Sequence, residues 1–235
     1  MKIEIWSDIM CPFCYIGKRK FEKALEQFDQ KDKIDVEWKS FQLPPEIKTQ
    51  TNKSSTEFLA EHKGISIQQA RALNEQVSQM AKTVGLTYHL DKSVVANSFK
   101  AHQLTHFAKQ YQKQDETEEL LFKAHFTEGK NIDNTEVLLD IGEELGFDRT
   151  LLKKSLEDNL YADAVKKDIQ NASRIGVRGV PFFLFNNKYA LSGAQESETF
   201  LQALKQSFTE WTESKLNRPI QFIEGQSCDV DGNCD

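Results

Sequence analysis

Near the start of the chain runs Ile3-Glu4-Ile5-Trp6-Ser7-Asp8-Ile9-Met10-Cys11-Pro12-Phe13-Cys14-Tyr15-Ile16-Gly17. A short apolar strand, Ile3 to Trp6, ends just before two thiols spaced C-x-x-C, and a helical pattern through Lys18-Arg19-Lys20-Phe21 begins just after them. Thiols at a strand-to-helix turn can close into a disulfide and reopen without unfolding the chain. Pro12 suits the first helical position, where its missing N–H is no loss and its fixed φ already points into the helix. Cys11 then falls at the N-cap, with unpaired amides and the positive end of the helix dipole aimed at its sulfur. A thiolate is stabilised in such a place, which makes Cys11 the expected nucleophile. Cys14, one turn in and less exposed, is the natural resolving thiol. The competing reading is a zinc site shared with Cys228 and Cys234. Zinc knuckles place glycines and turn formers around their thiols. Here Cys14 runs straight into a helix, and the other two cysteines lie far away with a different spacing, so no metal is expected.

Outward from the motif, the 235 residues are 39% hydrophobic and 28% charged, an ordinary globular composition long enough for one elaborated domain or one domain with an insertion. A net charge of −6 without a long basic run argues against nucleic acid or an anionic membrane as partner. The opening residues hold no apolar signal core, and the longest apolar stretch, Val180 to Phe185, is too short for a membrane span. A cytoplasmic protein is therefore expected, and in that compartment four cysteines point to catalytic or sensing thiols rather than a disulfide framework.

Periodicity gives a strand at residues 2–7 and a helix at about 15–29 whose Phe21, Leu25 and Phe28 form a buried stripe. Ile34, Val36 and Trp38 alternate with charges in a second strand that ends near Leu43-Pro44-Pro45, and residues 46–55 read as a polar surface connection. From about 56 to 175 the pattern is helical. Its core stripes are Leu104, Phe107, Ala108 and Tyr111, then Leu120, Leu121 and Ala124, then Val137, Leu138, Ile141 and Leu145, with Gly146 as a helix stop. Pro181 to Phe185 and Lys188 to Leu191 flank an Asn186-Asn187 turn as a hairpin. A last helix covers about 198–208. The order β-α-β, helical block, β-β-α predicts an α/β thioredoxin fold with a large all-helical insertion. The thioredoxin-like part spans 1–45 and 176–210, the insertion 46–175, and a polar tail 211–235.

Several positions now match a known family. Ser7-Asp8 with Cys11 to Gly17 resembles the opening of the DsbA-like family, in particular its cytoplasmic FrnE-like branch. Asn97-Ser98-Phe99-Lys100-Ala101-His102-Gln103-Leu104 resembles that branch's insertion motif. Gly179-Val180-Pro181-Phe182-Phe183 and Ser192-Gly193-Ala194-Gln195 resemble its later signatures. The resemblance covers roughly residues 1–208. It implies a cis Pro181 packed against the thiols, with the Val180 N–H and C=O turned outward for an extended substrate strand. It also implies that Asn97 and His102 face the thiol site, although Asn97 could equally cap its helix and His102 could be an ordinary half-buried histidine. Some FrnE-like proteins carry a second C-terminal cysteine pair, and Cys228 and Cys234 are similar to it.

Phe13 carries information about direction. A histidine there would stabilise the Cys11 thiolate, and phenylalanine cannot, so a less oxidising disulfide is expected. Phe13 and Trp6 could form an apolar lip for substrate or belong to the core. Asp8 is either a turn residue or a buried carboxylate that takes a proton from Cys14. In the tail, Asp229, Asp231 and Asn233 have calcium-loop character, but the glycine is misplaced and the closing glutamate is missing. The function expected is thiol–disulfide exchange with protein or low-molecular-weight substrates and no cofactor. The alternatives are a glutathione-dependent isomerase of the 2-hydroxychromene-2-carboxylate type, a non-catalytic thioredoxin-fold adaptor, and a metal-binding redox sensor.

Overall fold

The computed structural model describes residues 1–43 and 45–216 of the chain. Strand β1 (Lys2–Ser7), helix α1 (Pro12–Glu26) and strand β2 (Asp35–Ser40) make the first unit, with β2 parallel to β1 and Ile5 opposite Trp38. The far end of the chain returns as β5 (Phe182–Phe185), β6 (Tyr189–Ser192) and α9 (Ser197–Leu216). The sheet order is β2-β1-β5-β6, and β5 runs antiparallel to β1 with Trp6 opposite Phe182. The sheet unit is therefore a thioredoxin fold assembled from both ends of the sequence.

Two-residue periodicity divides β1 and β5 between two cores. Ile3, Ile5, Phe183 and Phe185 pack with Phe21 and Ala24 of α1 and Phe200 and Leu204 of α9. Phe183 and Phe200 meet edge-on at 4.6 Å between ring centroids, with Phe21 5.5 Å from Phe183. Trp6, Phe182 and Leu184 point to the other face, against Ala172 and Val177. Asn186 and Asn187 both take positive φ, 49° and 54°, which matches the right-handed twist of the hairpin they connect.

Between these halves lie β3 (Gln50–Ser54), α2 (Ser55–Lys63), α3 (Ile67–Thr83), β4 (Val94–Val95), α4 (Phe99–Lys109) and α5 (Gln114–Phe122). A π-helical turn (Lys123–Thr127), α6 (Thr135–Glu144), α7 (Arg149–Glu157) and α8 (Ala162–Ile175) complete the insertion. It is held to α1 by stacked rings and ion pairs. Tyr15 stacks on Phe122 at 5.0 Å, and Lys18, almost fully buried, pairs with Asp115 at 2.9 Å and with Glu22.

The structure departs from the sequence expectations in four places. The insertion is not wholly helical, because the polar connection forms β3, antiparallel to β4. That pairing is made by backbone, so side-chain polarity gave no sign of it. Helix α1 begins at Pro12 with Cys11 as N-cap, where the motif places it, and only the periodicity, which starts the helix near residue 15, sets the start too late. Tyr111 leaves the core stripe and is 46% exposed, since α4 ends at Lys109. Helix α9 continues past 210 to Leu216, and Trp211 packs on Phe208 at 5.4 Å.

Replacing Phe183 with alanine empties the centre of the aromatic core. Phe183→Ala is expected to lose about 3–5 kcal/mol of unfolding free energy in urea titration. A loss below about 1 kcal/mol would contradict this placement of the core.

Candidate active site

Cys11 is the N-cap of α1, with φ −92° and ψ 111°, and Pro12 follows in the first turn. The turn is tied by Cys11 N–H donating to the Asp8 carbonyl at 2.9 Å and Cys14 N–H donating to the Cys11 carbonyl at 3.0 Å. Both cysteines are free thiols, 4% and 1% exposed respectively. The Cys11 sulfur accepts no capping bond from the helix amides. It donates instead to the Val180 carbonyl at 3.5 Å. A thiol is a weak donor and a poor acceptor, so in its protonated form it turns to a carbonyl, a bond that ionisation abolishes.

The Val180–Pro181 peptide is cis. Its carbonyl is thus occupied by Cys11 in the reduced protein, where the sequence reading expected it to face outward and free. Pro181 is buried against α1 at Gly17, where an added Cβ would come within 2.9 Å of Pro181 Cγ. A side chain there would force helix and loop apart. Gly193, at φ +80°, donates its N–H to the Pro181 carbonyl at 2.8 Å and ties the loop to the end of β6.

Cys14 is surrounded by polar groups from the β1–α1 turn. Burial first, then the adjoining Cys11 sulfur, push the Cys14 thiol well up from its ordinary value, opposed by the Asp8 N–H and the Ser7 hydroxyl. Asp8 is fully buried. Its carboxylate accepts from Leu43 N–H at 2.8 Å and Met10 N–H at 3.1 Å, and His102 Nε2 of α4 lies 3.6 Å away. Burial opposes the Asp8 charge, yet His102, the Leu43 N–H and Ser98 together hold its carboxyl below the usual range. Deeper in the insertion, burial lifts Glu118 to about 7, against the pull of His102 and a hydrogen bond from Thr105. Burial lowers His125 to about 4 although Asp8 favours its charged form.

The other expected site residues are distributed as follows. Phe13 is 38% exposed beside the thiols. Trp6 is no surface lip: it is buried against Phe182, Ala172 and Val177, and its indole N–H donates to the Asp168 carbonyl at 3.2 Å, because its position in β1 faces α8. Asn97 holds the 45–49 loop, donating to Ile47 C=O at 2.8 Å and accepting from Gln42 at 3.2 Å, while Oδ1 also caps Phe99 N–H. These bonds engage both ends of its amide. His102 is buried against Asp8. Cys228 and Cys234 lie outside the described residues. Among the described residues, no group of three or more His, Cys, Asp or Glu side chains could hold a metal ion.

Two contributors escaped the sequence reading. Tyr88 donates its hydroxyl to the Pro12 carbonyl at 2.7 Å and closes over the first turn of α1. Glu118 belongs to an acidic run, Asp115-Glu116-Thr117-Glu118-Glu119, which gives no hint of which carboxylate is inward.

A family model for the DSBA-like thioredoxin domain matches residues 2–205. The chain belongs to this family. Among solved structures, it is similar to a probable DsbA oxidoreductase, SCO1869 from Streptomyces coelicolor, at 33% identity and TM-score 0.85, covering 100% of this chain and 98% of that one. A 2-hydroxychromene-2-carboxylate isomerase shares the fold at TM-score 0.65 and 15% identity, over 93% of this chain and all of that one. Among curated relatives, the uncharacterized protein YwbO of Bacillus subtilis (strain 168) is 28% identical over 86% of this chain and 94% of its own length.

The buried Glu118 sets a pH dependence that its replacement should remove. With its proton held up to about 7 against an ordinary 4.5, its contribution to stability is complete below 4.5 and is lost as pH rises through 7. Glu118→Gln should therefore gain on the wild type between pH 5 and pH 8, by about 3 kcal/mol at most in urea titration. Parallel stability curves for the two proteins would contradict the assignment.

Proposed function

We propose that this protein is a thiol–disulfide oxidoreductase acting on protein or low-molecular-weight disulfides through Cys11-Pro12-Phe13-Cys14. The observation that carries the reading is the asymmetry of the two thiols. Cys11 caps α1 against an exchangeable carbonyl, whereas Cys14 is sealed in with its proton held tightly. Cys11 as thiolate attacks a substrate disulfide, forming a mixed disulfide and releasing one thiolate. Cys14 then attacks Cys11, closing the internal disulfide and releasing the second substrate thiol. The two cysteines are oxidised as the substrate disulfide is reduced, and the sequence reverses when the protein donates its disulfide.

Loss of the Cys11 S–H on reaction frees the Val180 carbonyl. An extended substrate can then pair with the Val180 backbone beside Pro181, with Phe13 offering apolar contact. Placement in the FrnE-like branch, work in a reducing cytoplasm and a second redox pair at Cys228 and Cys234 rest on the sequence motifs. Among the described residues no helix is long and apolar enough to cross a membrane. An isomerase reading finds support in the shared fold alone, and an isomerase of that type does not need two thiols. An adaptor would likewise tolerate loss of Cys14.

Two experiments test the reading. Cys14→Ser should accumulate mixed disulfides with disulfide substrates, and Cys11→Ser should trap none; equal trapping would remove the assignment. Phe13→His should make the internal disulfide more oxidising, shifting its equilibrium with glutathione by about tenfold, or ~30 mV for the two-electron couple. An unchanged potential would show that the intervening residue does not set direction.

A further inference from the structure

An N-cap side chain accepts from the amide of the second or third helical residue. In α1 the first helical residue is Pro12, which has no N–H, and the third is Cys14, whose N–H donates to the Cys11 carbonyl at 3.0 Å. The second is Phe13, and among the described residues nothing accepts from its N–H. When Cys11 ionises and lets go of the Val180 carbonyl, Phe13 N–H is therefore the first-turn amide left to receive the charge.

That amide is under the control of a residue from the insertion. Phe13 N–H and Pro12 C=O belong to one peptide unit, and the Tyr88 hydroxyl, from the segment between α3 and β4, donates to this carbonyl at 2.7 Å. A bond to the carbonyl oxygen draws electron density from the peptide nitrogen. It makes the N–H a stronger donor, by about 10–30% per bond in a hydrogen-bonded chain. We propose that Tyr88 is a positioning residue for the exchange reaction. Through the Pro12–Phe13 peptide its hydroxyl strengthens the amide that stabilises the Cys11 thiolate, and so sets how readily Cys11 attacks.

The surroundings of Tyr88 suit this role. Its buried ring lies nearly parallel to Phe126 at 4.9 Å and to Tyr15 at 6.2 Å, and the adjoining His89 N–H donates to the Phe126 carbonyl at 2.7 Å. Ring and backbone are thus both held. Burial first, then Tyr15 and the two cysteine sulfurs, push the Tyr88 phenol up, so it keeps its proton and stays a donor. The ionisable groups facing the hydroxyl are Tyr15, Cys11, Cys14 and Arg19, all from the α1 end of the contact. Tyr15 donates to Glu119 at 2.6 Å, and Arg19 pairs with Glu119 and Glu22, so both are engaged elsewhere.

The inference rests on the exchange reading, and its test separates the two. Reduced wild type, Tyr88→Phe and Tyr15→Phe are alkylated with iodoacetamide from pH 4 to pH 9 and read at Cys11 by peptide mass, with thermal melts to establish folding. Tyr88→Phe keeps the ring and loses only the hydroxyl. Its alkylation midpoint should move to higher pH, and its rate below the midpoint should fall about two- to fivefold. The high-pH plateau should be kept, since a thiolate's intrinsic reactivity does not fall as its proton is held more tightly. Tyr15→Phe, which alters the same stack without touching Pro12, should superimpose on wild type. An unmoved midpoint in folded Tyr88→Phe, loss of the plateau alone, or an equal displacement in Tyr15→Phe overturns the role. Should Tyr88→Phe not fold, the amide proton of Phe13 in the ¹⁵N-labelled wild type decides: it should move downfield with the alkylation midpoint, and a Phe13 signal that stays put overturns the inference. In equilibrium with glutathione, the internal disulfide of Tyr88→Phe should be less oxidising by the same factor of about two to five. A wild type that alkylates as described yet exchanges no disulfide with glutathione overturns the exchange reading, not the effect of Tyr88 on Cys11.

Discussion

The site depends on how closely the first turn of α1 approaches the Val180–Pro181 loop. The approach is possible because residue 17 has no side chain to strike Pro181. It is useful because the sheet places β5 beside β1 in antiparallel register, so the loop entering β5 arrives opposite the turn that leaves β1. Cys11 and Val180, far apart in sequence, are brought to 3.5 Å by that topology alone. The aromatic core on one face of the sheet and the Trp6 cluster on the other fix β1 and β5 against each other and hold this contact in place.

The insertion completes what the sheet unit begins. Tyr88 closes on Pro12, Tyr15 lies between Tyr88 and Phe122, and Lys18 and Arg19 reach across α1 to Asp115 and Glu119. These contacts remove the thiols from water. Burial then raises the Cys14 thiol and isolates Asp8 with His102, so the insertion sets the electrostatics of a dithiol that it does not itself carry.

Much of this was legible in the sequence because the signals are local. Cys11-Pro12-Phe13-Cys14 after a strand specifies the N-cap geometry, Asn186-Asn187 specifies the hairpin, and the apolar runs at residues 3–6 and 181–185 specify strands. Other features were not legible, because they depend on tertiary contacts. Trp6 reads equally as lip or core until the orientation of β1 against α8 is known. Asn97 sits in a family-like motif, yet its amide is engaged by a loop more than forty residues earlier. β3 and β4 pair through backbone and leave no apolar pattern. Glu118 is one of several neighbouring carboxylates, and only the packing of α4 against α5 selects it for burial.

The central claim is that two nearly buried thiols separated by two residues are chemically unequal, with Cys11 the attacking sulfur and Cys14 the guarded one. Timed alkylation of the reduced, folded protein at neutral pH, read by peptide mass analysis, tests it most directly. The account predicts that Cys11 is modified while Cys14 stays unmodified until the protein is unfolded. Modification of both at equal rates, or of Cys14 first, would contradict it.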